Sequence, residues 1–275
     1  MIQYVYLGRV GYAEGLALQE EMVELRYQGR IGNLLLLLEH PPVLTLGRNV
    51  GRENIVATDE MLARKGVSVH ETKRGGDVTY HGPGQLVGYP IFDLRSMVNS
   101  SGGRLGPVDY VRWVEEALIR TCAGFGVRTG RVAGRTGVWT EAASGREKKI
   151  GAIGVHVSRG ITSHGFAFNV TTDLRDFQWI VPCGIADREV TSLELEVPEP
   201  EKLPGLEGVA DAVARQFGHV FREQVLAVEN LETLRATALD VAQVGVPMQV
   251  PAEVERLIHQ DRDVEGAGKD GPVQA

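Results

Sequence analysis

Cysteine is scarce in this sequence. Cys122 and Cys183 are the only two in 275 residues, too few for a disulfide framework and without the close spacing of metal ligands, which points to a reducing compartment. Long apolar runs are missing as well: none approaches the roughly 20 residues that span a bilayer. The opening stretch MIQYVYLGRVGYAEGLAL has no charged region followed by a small-residue cleavage site. The expected location is therefore the cytoplasm, with no membrane partner. Positive charge is not in excess either. The formal net charge is -7 and the pI is near 5.6, so no Lys/Arg-rich face is evident to neutralise phosphates, and a general nucleic-acid binder is excluded. No internal repeat is visible.

What is present is enough apolar sequence, 43%, to build one large domain or a domain with a smaller appendage. Tyr12 to Gln28 carries Ala13, Leu16, Ala17, Glu20, Glu21 and Leu25 at helical spacing and ends at Gly29. Asn33 to Glu39 (NLLLLLE) and Val43 to Leu46 flank Pro41-Pro42 and read as two buried strands joined by a turn, of the kind found in a sheet centre. Thr58 to Lys65 reads as a short helix capped by Thr58 with Met61 and Leu62 inward, and Val67 to Thr72 alternates as a strand does. Gln85 to Phe92 is a further strand. Pro107 to Phe125 sets Val111, Val114, Leu118 and Cys122 on one helical face, with proline at the start and Gly126 past the end.

Gly137 to Glu141, Lys149 to Val157 and Thr162 to Val170 form a predicted meander, with Ala143 to Glu147 as a polar turn between the first two. Leu206 to Val225 is helical again through Val209, Val213, Phe217 and Val220. Helices mixed with runs of antiparallel strands place the chain in the α+β class. Residues 1–228 are expected to form the main domain and 229–275 an extension. Beyond Leu239 the small and charged residues predict a mobile tail.

The run RGGDVTYHGPGQ, Arg74 to Gln85, spends four glycines, a proline, a histidine and an arginine where a core would want apolar residues. Glycine permits close backbone approach or positive φ and lowers stability unless a site requires it. Such a run is built around a ligand.

Of the two thiols, Cys122 falls on an apolar helix face and behaves as a small buried hydrophobe. Cys183 differs, because Pro182-Cys183-Gly184 breaks the chain directly after Trp179-Ile180-Val181 and sets a thiol at a turn beside exposed backbone N–H groups. It is a candidate nucleophile, although many loop cysteines are merely tolerated. Lys149 supplies context. Strict alternation from Lys149 puts it on one face with Gly151, Ile153, Val155 and Val157, opposite Ile150, Ala152, Gly154, His156 and Ser158. A lysine turned to an apolar face can accept a proton, and an ammonium beside a thiol favours the thiolate. Lys148 reads as its solvated neighbour.

These residues are also where the chain resembles the lipoyl(octanoyl) transferases, which move octanoyl from acyl carrier protein to a lysine of lipoyl domains. The family's glycine-rich signature resembles Arg74 to Gln85. Its lysine strand is similar to KIGAIGVHV, Lys149 to Val157, and its nucleophile segment is similar to IVPCGI, Ile180 to Ile185. SHGFAFNV (Ser163 to Val170) and EHPPVLTLGR (Glu39 to Arg48) match too, so the likeness covers most of residues 30 to 195 and stops near Leu226.

The resemblance implies the α+β catalytic-domain fold shared with lipoate and biotin protein ligases, Cys183 as acyl-thioester nucleophile and Lys149 as its activator, with no cofactor. It places substrate contacts at Arg74, Gly75, Gly76, Asp77, Val78, Thr79, Tyr80 and His81, at Ala152, Ile153 and Gly154, and at Gly165, Phe166 and Ala167. His81 is added as a catalytic, polar organiser, while His156 and His164 are left structural, since neither has spaced companions that suggest a metal. Octanoyl-acyl carrier protein is the implied donor; lipoyl domains of 2-oxoacid dehydrogenase E2 subunits and the glycine cleavage H protein are the implied acceptors. Three other readings compete: an ATP-dependent lipoate or biotin ligase, a thioesterase using Cys183 with His81, and a non-catalytic acyl or lipoyl-domain binder. The ligase motif carries a third glycine and an Asp after the histidine, whereas His81 is followed here by Gly82-Pro83-Gly84.

Overall fold

A computed structural model describes residues 1–48, 51–99, 102–141, 147–180 and 189–236. The chain divides into Met1–Ala238 and Leu239–Ala275, and everything below concerns the first unit. The residues read as a mobile tail, like the predicted turn at Ala143 to Glu147 for the most part, lie outside the described residues.

The continuous leucine run of β2 (Asn33–Glu39) is explained by burial on both sides. Leu35 and Leu37 face one apolar core and Leu34, Leu36 and Leu38 face another, as expected for a strand inside a sheet covered on both faces. β2 pairs in parallel with β1 (Ile2–Arg9), reached through helix α1 (Tyr12–Tyr27), and antiparallel with β6 (Gln85–Ile91). The sheet continues from β6 through β10 (Ile161–Asn169), β9 (Lys149–Ser158) and β8 (Arg135–Thr140) to β7 (Thr129–Val132), each pairing antiparallel with the last. At the other edge β11 (Val225–Ala227) lies parallel to β1, giving the order β11-β1-β2-β6-β10-β9-β8-β7. The predicted meander and the α+β class are both present.

Val43 to Leu46 does form a strand, β3, but it leaves the sheet of β2. With β4 (Ser68–Glu71) and β5 (Thr79–His81) it makes a separate three-stranded sheet in which β3 is central. Pro41-Pro42 thus carries the chain from one sheet to another instead of closing a hairpin. Helix α2 (Asp59–Arg64) is capped as read: the Thr58 hydroxyl accepts from the Met61 amide. Leu62 is buried, whereas Met61 is exposed, because a helix of six residues offers the small sheet only a narrow face.

Helices α3 (Pro107–Gly124) and α5 (Leu206–Phe221) cover one face of the large sheet; a four-residue helix α4 (Leu193–Glu196) precedes α5. Val114, Leu118 and Cys122 of α3 and Val213 and Phe217 of α5 pack on Leu86, Val138, Ile150, Phe166 and Phe168. Each such side chain contributes about 1.5–3 kcal/mol by leaving water. Burial pushes the Cys122 thiol up to about 12, so it is inert near neutrality. On the opposite face α1 packs through Leu18 and Met22. Its buried residues are Tyr12, Gly15, Leu18, Gln19 and Met22, not the predicted face with Ala13 and Ala17, which are exposed. Two of these contacts are invisible to a hydrophobic period: Gln19 accepts from the His164 amide at 2.8 Å, and Gly15 lets the His40 ring approach.

Candidate active site

On β10, Phe166 and Phe168 belong to the helix-side core, so Gly165, Ala167 and Asn169 fall on the other face. Register extends this small-residue surface sideways, since Ala167 pairs with Val87 of β6 and with Ala152 of β9, and Gly165 pairs with Gly154. Missing side chains on adjacent strands leave a cavity of about 270 Å³.

The glycine-rich run forms the opposite wall. The Gly75 amide donates to the Val155 carbonyl at 3.1 Å, and a Cβ on Gly154 would sit 2.7 Å from the Gly75 carbonyl oxygen. Glycine at 154 is therefore a requirement of close approach. Arg74 is buried and acts as a strut: its Nη2 donates to the Thr45 carbonyl at 2.6 Å and to Thr45 Oγ1 at 2.9 Å, and Nη1 donates to the Gly75 carbonyl at 3.1 Å. Asp77 accepts from Asn54 Nδ2 at 2.8 and 3.0 Å. Gly75, Gly76, Val78 and Thr79 line the cavity with Arg74 and Asp77, while Tyr80 does not. The Tyr80 ring enters the small sheet's own core against Phe177 and Trp179, and its hydroxyl donates to Asp176 at 2.6 Å.

His81 ends the wall inside the cavity. Gln85 Nε2 donates to Asn169 Oδ1 at 2.9 Å and to the Tyr80 carbonyl at 3.2 Å. Gln85 Oε1 is thereby left to accept from His81 Nδ1 at 2.7 Å, which fixes Nε2 as the bare nitrogen. Burial, reinforced by His40, lowers the His81 pKa to about 3. His40 and His164 are each lowered to about 4, again chiefly by burial. The three rings are neutral at physiological pH.

Lys149 also lines the cavity, together with Ala152, Ile153 and Gly154. This corrects the strict alternation. Trp139 pairs with Lys149 but Val138 pairs with Gly151, so one extra residue, Ile150, is inserted in β9. Such a bulge puts Ile150 and Gly151 both toward the helices and turns Lys149 to the opposite face. Ile150 is indeed in the helix-side core, and a Cβ on Gly151 would meet Leu118 of α3 at 3.4 Å. Lys149 Nζ lies 4.8 Å from the Trp139 ring centroid, a cation–π contact. Its main-chain amide donates to the Glu189 carbonyl and its carbonyl accepts from the Thr191 amide, each at 3.0 Å.

Cys183, the predicted nucleophile, lies outside the described residues. Ile153 and Phe166 border the cavity with side chains engaged in the helix-side core, whereas Gly165 and Ala167 face it directly. Residues the sequence reading passed over include Tyr12, Tyr89 and Arg135, and His164, read as structural, lines the cavity too. Tyr89 was reachable by extending the alternation Gln85, Val87, Tyr89; Tyr12 and Arg135 come from a helix and a strand distant in sequence and gave no local sign. His156, also read as structural, receives Arg48 Nη2 at 2.6 Å. Among the described residues no group of three or more His, Cys, Asp or Glu could hold a metal ion.

Comparison with known proteins gives the arrangement a family. Residues 11–218 match the model of the lipoyl protein ligase A/B catalytic domain. The chain is 68% identical over 232 residues to the octanoyltransferase of Acidobacterium capsulatum, covering 84% of this chain and 94% of that protein. It is 51% identical over 261 residues to the octanoyltransferase of Koribacter versatilis, covering 95% and 98%. Among solved structures it superposes on lipoate-protein ligase A bound with ATP, with a TM-score of 0.64 at 16% identity over 89% of this chain and 95% of that one. It also matches the bipartite lipoate protein ligase of Thermoplasma acidophilum, with a TM-score of 0.62 at 17% identity over 88% and 92%. These two likenesses concern the fold alone. The sequence relatives decide the rest: the chain belongs to the lipoyl protein ligase A/B catalytic-domain family, among its octanoyltransferases, and is an acyltransferase.

Proposed function

We propose that this protein transfers octanoyl from octanoyl-acyl carrier protein to a lysine of lipoyl domains, those of 2-oxoacid dehydrogenase E2 subunits and the glycine cleavage H protein, through a thioester on Cys183. The observation that carries the reading is the β9 bulge, which delivers Lys149 into an apolar, alkyl-sized cavity walled by the glycine-rich run. An octanoyl chain buried there would gain roughly 0.8 kcal/mol per methylene, about 5 kcal/mol as a ceiling.

The Cys183 thiolate attacks the donor carbonyl, and the tetrahedral adduct collapses by breaking the bond to the carrier sulfur. That sulfur leaves as a thiol with a proton from the Lys149 ammonium. Lys149, now neutral, accepts a proton from the acceptor amine as its nitrogen attacks the acyl-enzyme. The amide forms, the Cys183 sulfur departs as thiolate, and the starting charges are restored. The donor thioester is already activated, so no ATP enters and no cofactor is used. His81, neutral and held by Gln85, orders the polar end of the cavity. Residues 1–228 form the catalytic domain in this reading and 229–275 an extension, with the reaction in the cytoplasm.

Intact-mass measurement of protein, octanoyl-carrier and apo lipoyl domain without ATP tests it. Wild type acquires an acyl adduct and passes it on, and Cys183→Ala does neither. Transfer that persists in Cys183→Ala, or that requires ATP, contradicts the mechanism.

A further inference from the structure

Glu115 is a fully buried carboxylate in α3 that takes no part in the chemistry above. Burying a carboxylate is costly unless every lone pair is engaged. Here one oxygen accepts from Arg112 Nη1 of α3 at 2.7 Å and from Arg131 Nε of β7 at 3.0 Å. The other accepts from the main-chain amide of Gly137 on β8 at 3.0 Å. Both arginines are partly exposed, and Arg131 also donates to Glu116 and to the Arg112 carbonyl, so an ion pair alone did not need a buried acid.

The Gly137 contact gives the burial a purpose. Gly137 has φ of +126°, a backbone shape that disfavours side chains. It sits opposite the bulge: a Cβ there would lie 2.6 Å from the Gly151 carbonyl oxygen and 3.3 Å from Lys149 Cε. One helical turn beyond Glu115, Leu118 touches the Gly151 side of the same bulge. Thus α3 holds both strands where the register shifts, and Glu115 holds the strand against which the Lys149 methylenes pack.

We propose that Glu115 is a positioning residue for Lys149, fixing the Gly137 segment so that the bulge keeps the ammonium turned into the cavity. This rests on the reading of Lys149 as the activating base. The test measures single-turnover acylation by octanoyl-acyl carrier protein against pH, with steady-state kcat and KM, in wild type, Lys149→Ala, Glu115→Asp and Arg131→Ala. Aspartate is shorter, so the flexible arginines can follow its carboxylate while the Gly137 amide cannot.

Glu115→Asp is expected to move the rate rise to higher pH, in the direction of Lys149→Ala, and to lower kcat about tenfold with KM little changed, the size of effect that misplacing a catalytic group brings. Arg131→Ala, which loses an ion pair but keeps the Gly137 contact, retains the wild-type profile and slow exchange of the Gly137 amide. A Lys149→Ala profile like that of wild type defeats the activating role itself. A shifted Lys149→Ala profile with an unshifted Glu115→Asp defeats only the positioning role. If Glu115→Asp does not fold, Arg131→Ala decides by whether the two readouts move together: a fast-exchanging Gly137 amide beside a wild-type profile, or a displaced profile beside a protected amide, overturns the proposal, and retention of both or loss of both upholds it.

Discussion

Along β10, Phe166 and Phe168 enter the packed layer under α3 and α5, whereas Gly165, Ala167 and Asn169 look into the cavity from the same strand. The helix side is filled with aromatic and aliphatic groups, with Phe217 stacked between Phe166 and Phe221 at centroid distances of 5.7 and 5.5 Å. The cavity side substitutes small residues and neutral histidines. One strand therefore supplies a packed core on one face and, in the proposed reading, a binding surface on the other, separated only by the period of two. The difference predicts where this sheet tolerates change: volume deleted on the helix side should cost stability, and volume added on the cavity side should cost the proposed transfer.

Acid separates the two sides most strongly. His40, His81 and His164 all lie at or beside the cavity, with pKa values depressed by burial to about 4, 3 and 4 from 6.5, and among the described residues no other histidine is buried. Between 6.5 and those values the unfolded chain binds protons that the folded protein does not, so stability falls as pH drops through that window and is unaffected by these groups above it. At about 1.4 kcal/mol per unit of separation, three such groups bring the largest effect. Melting temperatures recorded from about pH 7 down to about pH 5 should fall steeply, with the three C2–H proton resonances still untitrated in the folded state. A flat melting curve would remove the histidines from the contrast.

Phe168→Ala comes next. Fully buried on the helix side, it should cost about 3–5 kcal/mol in denaturant unfolding while activity per folded molecule persists. Ala167→Phe is the mirror experiment: it should leave the melting temperature close to wild type and reduce octanoyl transfer about 100-fold, equal to about 2.7 kcal/mol. Unchanged octanoyl kinetics would mean that the chain lies elsewhere. Gly88→Ala is the mildest. Its Cβ would fall 2.1 Å from the Phe166 ring, and displacing that ring should lower stability by about 1–3 kcal/mol, measurable as a shift in denaturant midpoint. An unshifted midpoint would show the helix-side packing to be looser than its aromatic contacts suggest.

How far the fold could be read in advance follows how plainly each segment shows a period or a bounding turn. The long helices α1, α3 and α5, the leucine strand and the meander all carry enough residues to show a period. β5, β7 and β11 have three or four residues each, too few for a period to register, and β1 was passed over as well. The face of α1 was misassigned because Gly15 and Gln19 are buried for reasons other than hydrophobicity. For the site, the glycine-rich run was legible because glycine is conspicuous where side chains are expected, and the small residues of β9 and β10 were implied by the family resemblance. Tyr12, Arg135 and Glu115 were not, since each matters only through a partner far away in sequence.

The sequence by itself determined the class of fold and all of the glycine-rich wall but Tyr80, and it offered Cys183 and Lys149 as candidates, because residue type and local period are properties of short segments. Only the tertiary structure decided which way Lys149 points. Alternation turned it toward the helices; a single extra residue in β9, visible only against the register of β8, turned it into the cavity. Register is set by pairing between strands and by what packs behind them, and those are contacts no local pattern encodes.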